Sequence, residues 1–148
     1  MYTNWAANLL VVVATSACVA LAVLVHYEGL GFLSVRLSRL HGERRRKVLF
    51  GVYGVVALHV VEIWLFGVAI WALLRMPAAG AVTGSLQAQF FDAVYLSAET
   101  FSTVGFGDLS PMGPIRFLAG TEALTGFILI TWSASFLYLE MQQFWKRA

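Results

Sequence analysis

The chain has 148 residues, 59% of them hydrophobic and only 12% charged, with a formal net charge of +2. A soluble domain carries about 25% charged residues, and the mean hydropathy of +0.76 excludes one here. The small positive balance carries no signal for nucleic acid, because the basic residues stand where membrane topology needs them.

The first apolar block, Ala6–Val25, is charge-free and about the length of one membrane span. Cys18 within it is the single cysteine, so no intrachain disulfide can form. Thr15-Ser16-Ala17-Cys18 resembles a lipoprotein cleavage site. Residues 1–8 lack Lys and Arg, however, and a secretory signal needs a positive n-region. The first span is therefore expected to be retained, with Cys18 as a small packing residue. Arg36, Arg39, Arg44, Arg45, Arg46 and Lys47 follow in a basic loop. Arg36 and Arg39 have the spacing of a voltage-sensor helix, but two such arginines beyond the span read as solvated. With the next four basic residues they could hold anionic lipid headgroups, each worth about 1 kcal/mol near the surface. The second block, Val48–Leu74, carries His59 and Glu62. The third, Ile115–Leu139, carries Arg116 near its start and Glu122, and Lys146 and Arg147 follow it. Between the second and third blocks stands Arg75, with Arg116 just beyond. The positive-inside rule then places the basic loop and the C-terminus in the cytoplasm and the N-terminus outside.

Residues 75–89, with Met76-Pro77 and several Gly and Ala, read as an exposed turret. Residues 90–102 are too few to span and fit a re-entrant helix. Asp92 lies in its first turn, where a carboxylate favours the helix dipole. Its C-terminus then points to the middle of the bilayer with partial negative charge, which suits a cation. The chain returns through Thr103-Val104-Gly105-Phe106-Gly107-Asp108. Irregular backbone at that depth survives where it lines a polar path. Turning successive carbonyls toward one axis needs alternate backbone handedness, which Gly105 and Gly107 supply at a spacing of two. Val104 and Phe106 are expected to point away and pack on the short helix. One chain builds a single wall, so a closed path needs copies, here four.

At these residues the chain is similar to a known family. Ser97-Ala98-Glu99-Thr100-Phe101-Ser102-Thr103-Val104-Gly105-Phe106-Gly107-Asp108 closely resembles the pore helix and selectivity filter of potassium channels. The resemblance covers roughly 48–141, and the whole chain looks like a small bacterial single-pore channel with one extra N-terminal helix. It implies K+ bound by backbone oxygens of Thr103, Val104, Gly105, Phe106 and Gly107. It also implies that Glu99 shares a proton with Asp108 behind the filter. The rival reading has Glu99 bonded to backbone amides alone. Phe106 replaces the commoner tyrosine, so a hydroxyl that usually ties the filter to its surroundings is missing and a softer filter is expected.

His59, Glu62 and Glu122 lie at membrane depth, where ionisable groups are functional candidates. They are expected to form one polar cluster, either a clamp between the outer and inner helices or a proton-sensitive gate. By the same resemblance Gly126 falls at an inner-helix hinge, although Gly also permits close packing. Phe127, Ile130, Ala134 and Tyr138 follow at helical spacing as a cavity wall, with Tyr138 a gate candidate.

The sequence thus reads as an all-α integral membrane protein of the cell membrane, with three spans, a re-entrant pore helix and a four-fold homotetramer. Residues 1–47 hold the first helix and basic loop. Residues 48–148 hold the pore domain: outer helix 48–74, turret 75–89, pore helix 90–102, filter 103–108 and inner helix 114–141. The function expected is passive K+ conduction, without an organic cofactor, nucleic-acid partner, appended regulatory domain or enzymatic constellation. A weakly selective cation channel and a non-conducting accessory subunit are the alternatives.

Overall fold

The computed structural model of the chain describes residues 4–40, 44–84 and 89–146. Its elements in order are α1 (Trp5–Arg39), α2 (Arg44–Leu74), β1 (Ala81–Thr83), α3 (Phe90–Phe101), β2 (Ser110–Met112) and α4 (Ile115–Lys146). Residues 85–88 of the expected turret, and Arg147 beyond the third span, lie outside the described residues.

The three long helices each have the length and apolarity to cross a membrane, and at most 33% of any apolar window is buried. The remaining apolar side chains, such as Leu24, Val56 and Leu124, stay exposed, as lipid-facing residues should. Several boundaries differ from the sequence reading, and α4 runs on to Lys146. The first helix runs on to Arg39, so Arg36 and Arg39 form its last turn and not part of a loop. No proline interrupts 25–39, and basic groups at a helix C-terminus favour the dipole. The second helix likewise starts at Arg44. Asn4 caps α1 by accepting from the Ala7 N–H at 3.2 Å.

The fold is not purely helical. β1 and β2 pair antiparallel, with Val82 opposite Pro111. This pair ties the segment after α2 to the one that precedes α4, and the Thr83 hydroxyl donates to the Ser110 carbonyl at 3.2 Å. Three-residue strands among Gly and Pro have no readable alternation, so the pattern gave no warning of them.

The helices approach closely where glycine permits. A Cβ on Gly54 of α2 would lie 2.3 Å from Leu33 Cδ2 of α1, so that glycine seats the extra helix. A Cβ on Gly126 of α4 would lie 2.1 Å from the Phe101 carbonyl oxygen at the end of α3. Phe66, Ile70, Leu96, Phe101, Leu118 and Leu129 form the core where α2, α3 and α4 meet. Without a hydrophobic drive between helices in lipid, such close contacts and interhelical hydrogen bonds hold the bundle.

Gly126→Ala must push a methyl group against backbone, and overpacking of that kind costs about 1–3 kcal/mol. Its thermal unfolding midpoint in detergent should fall. Gly31→Ala, with nothing within 4 Å of the new Cβ, should leave the midpoint unchanged or slightly raised.

Candidate functional site

The six residues after α3 are held by that helix. Its N-terminus is closed by a capping box in which the Asp92 carboxylate accepts from the Gln89 N–H at 3.0 Å. Trp64, Trp71, Phe90 and Phe91 crowd edge-to-face around this end. The Arg75 guanidinium lies 3.6 Å over the Trp71 ring. Amphipathic rings of this kind favour a membrane–water boundary. The other end of α3 is anchored by Gly126, as described above.

The backbone beyond α3 alternates as the sequence spacing requires. Thr103, Gly105 and Gly107 have φ of 58°, 56° and 81°. Among the described residues Thr103 is the one non-glycine residue with positive φ. That conformation costs an L-residue about 1–2 kcal/mol, so its surroundings must impose it. The Thr103 N–H donates to the Thr100 carbonyl at 3.0 Å.

Glu99 holds the amides of Gly105 and Phe106. Its carbonyl accepts from the Gly105 N–H at 3.2 Å, and its carboxylate Oε2 accepts from the Phe106 N–H at 3.0 Å. With these N–H groups tied backwards, the carbonyls opposite them are left to face away from α3. The proton-sharing expected between Glu99 and Asp108 is not what forms. Asp108 is taken instead by the Tyr95 hydroxyl, at 3.1 Å from each carboxylate oxygen. Tyr95 and Glu99 stand four apart on one helix face, so Glu99 meets the middle of the segment and Tyr95 its outer end. Partial desolvation, then the hydrogen bond to Asp108 and its charge, hold the Tyr95 hydroxyl above its ordinary value, so it remains a donor.

Tyr95 also answers the missing hydroxyl of Phe106. The two rings stack at 6.4 Å and 5°, and the tie to Asp108 comes from the helix side of the stack. The packing of Val104 and Phe106 against α3 is partial, since they keep 57% and 72% of their surface exposed. A single chain offers them one wall.

The polar cluster divides in two. Glu62 accepts from His59 within α2, and also from His26 of α1, a residue the sequence reading passed over. Glu122 is not part of this group. Its Oε1 lies 2.5 Å from the Ser97 hydroxyl of α3, which also reaches the Ile63 carbonyl at 2.8 Å. The single Ser97 proton is shared between these two acceptors, one on α4 and one on α2. Four residues after Glu122, Gly126 makes the contact with Phe101. Glu122 thus binds α4 to α3, and the trio on α1 and α2 is a separate structure. His26 lies one residue past the apolar block as the sequence defined it, which is why it was not weighed.

A family model described as an ion channel matches residues 48–143. The chain belongs to that ion channel family. The match begins at the outer helix and excludes α1. It makes the protein a multi-pass membrane channel component and not an enzyme. Among curated proteins, the chain is 33% identical over 82 residues to protein LctB of Geobacillus stearothermophilus, covering 55% of this chain and 61% of that protein. It is 30% identical over 80 residues to the inward rectifier potassium channel Kirbac3.1 of Paramagnetospirillum magnetotacticum, covering 53% of this chain and 27% of that one. The chain therefore spans less than two thirds of the length of either relative. No solved structure gives a significant match.

The Glu99 carboxylate makes a bond that alanine cannot. In the Glu99→Ala protein the Phe106 amide should exchange its hydrogen faster, by mass-spectrometric exchange on the peptide that contains it. Tyr95→Phe should leave that amide protected.

Proposed function

We propose that four copies of the chain form a channel that conducts K+ passively through one central pore. The observation that carries this reading is the left-handed backbone at 103, 105 and 107. It is the geometry by which consecutive carbonyls line one side of a path. Four such walls give each dehydrated ion rings of oxygens above and below, from Thr103, Val104, Gly105, Phe106 and Gly107. The relative named as an inward rectifier potassium channel supports K+ as the ion. The exposure of Val104 and Phe106 in the single chain supports neighbouring subunits as the rest of the wall. The inner cavity falls to Phe127, Ile130, Ala134 and Tyr138, all exposed on α4. Gly126 remains a hinge candidate alongside its packing role, and Tyr138 a gate candidate.

In the cell membrane the N-terminus faces outward and the C-terminus the cytoplasm, in keeping with the basic residues around the α1–α2 connection. Anionic headgroups fit there. Phe32, Val35, Arg36, Arg39, Leu40 and Phe50 line a groove that offers apolar walls beside two guanidinium groups. Arg44, Arg45, Arg46 and Lys47 continue the charge on α2.

In liposomes with mixed gradients, the reversal potential should follow potassium. Equal sodium and potassium permeability would instead establish the weakly selective channel, and absent flux the accessory subunit. Gly105→Ala should end selective conduction, because a Cβ at φ of 56° is strained.

Two further measurements bear on assembly and orientation. Native mass in detergent should equal four chains, and a conducting monomer would refute the ring. In a Cys18→Ala background, an impermeant thiol reagent should label Asn4→Cys from outside. Labelling from the cytoplasmic side alone would invert the orientation.

A further inference from the structure

His26, on the helix that lies outside the family match, meets His59 and Glu62 of α2. One ligand atom from each of the three lies within 4.8 Å of the others. His26 Nδ1 is 2.7 Å from Glu62 Oε1, and His59 Nδ1 is 2.8 Å from Oε2. The rings lie nearly parallel, 28° apart with centroids at 5.5 Å. Two imidazoles thus present the same nitrogen to the two oxygens of one carboxylate. We propose that His26, His59 and Glu62 bind one divalent transition-metal cation of the zinc class, which clips α1 to the pore domain.

The donor set is the first argument. Two imidazole nitrogens and one carboxylate oxygen suit zinc, whose bonds of about 2.0–2.2 Å place tetrahedral ligands about 3.3 Å apart. The gap from His26 Nδ1 to Oε1, 2.7 Å, needs to open by about half an ångström to reach that spacing. Three protein ligands leave a fourth position for water.

Charge is the second argument. With both imidazoles neutral and Glu62 ionised, the trio carries one negative charge, and the His26 and Glu62 side chains are both 0% exposed. A lone buried charge is costly, so the site calls for a cation. With metal at both Nδ1 atoms, each neutral ring carries its one hydrogen on Nε2.

Outer contacts orient the ligands. His26 Nε2 lies 3.5 Å from the Ser133 hydroxyl of α4, the acceptor that an Nε2–H would need in a metal-bound ring. Trp132 packs 5.1 Å from His26, and Phe101 packs 5.7 Å from His59. The His59 side chain is 16% exposed, whereas those of His26 and Glu62 are fully buried. Neither the filter nor Glu122 takes part, so the site is independent of the conduction reading.

The test uses the full chain in detergent, stripped with EDTA. Zinc titrated calorimetrically should bind one ion per chain and raise the melting midpoint. Cobalt should give the strong visible bands of a tetrahedral site. His26→Gln and His59→Gln should each lose the zinc-dependent rise, while Gln still offers an N–H to Glu62. Should a variant not fold, the wild-type cobalt spectrum and the zinc-against-EDTA melting difference decide alone. No zinc-dependent shift, an octahedral cobalt spectrum, or undiminished binding in both folded variants would overturn the proposal.

Discussion

Between α3 and β2 the chain leaves regular secondary structure, next to two helices that cross a membrane. Backbone without internal hydrogen bonds is costly at such depth, and the rest of the molecule is organised around meeting that cost. Glu99 does most of it. One residue spends its carbonyl on the Gly105 amide and its carboxylate on the Phe106 amide. Tyr95, one turn earlier, fixes Asp108 at the outer end. The inner end carries the positive φ of Thr103, a strain that persists because α3 is itself immobilised.

That immobilisation comes from α4 and α2. Gly126 brings α4 against the Phe101 carbonyl, and Ser97 bridges Glu122 of α4 and the Ile63 carbonyl of α2. Polar groups that a water-soluble protein would leave at its surface act here as interhelical ties, because lipid offers them no partner. The first helix follows the same rule. It is seated by Gly54 and held by His26 on Glu62 and by Ser34, whose hydroxyl donates to Glu140 of α4 at 2.8 Å.

The spans, the short helix from Phe90 and the alternating filter were legible because each depends on local properties. Apolar run length fixes a span, segment length excludes one, and glycine spacing fixes handedness. What depended on pairing across the fold was not legible. His59 and Glu62, three apart on one helix, share a face by spacing alone. Which residue of another helix would meet them could not be read, and Glu122 was assigned there although it bonds Ser97. Glu99 and Asp108 were paired by resemblance, while the geometry gives each a different partner. Tyr95 could have been found as the residue one turn before Glu99. His26 falls just past the last uncharged residue of the first block, and the β1–β2 pair is too short to leave a pattern.

The inner helix is fastened at two heights. Gly126 meets the end of α3, and Glu140 meets Ser34 of α1. Fourteen residues separate these points, about 21 Å of helix at 1.5 Å per residue. A rod clamped at one end swings as a lever, and its far tip moves most. A rod clamped at both ends bows, and its midpoint moves most. Here Ser133 and Trp132 of α4 meet the ring of His26 between the two contacts, so the first helix braces the midpoint as well. The extra helix thereby turns a swinging arm into a loaded beam.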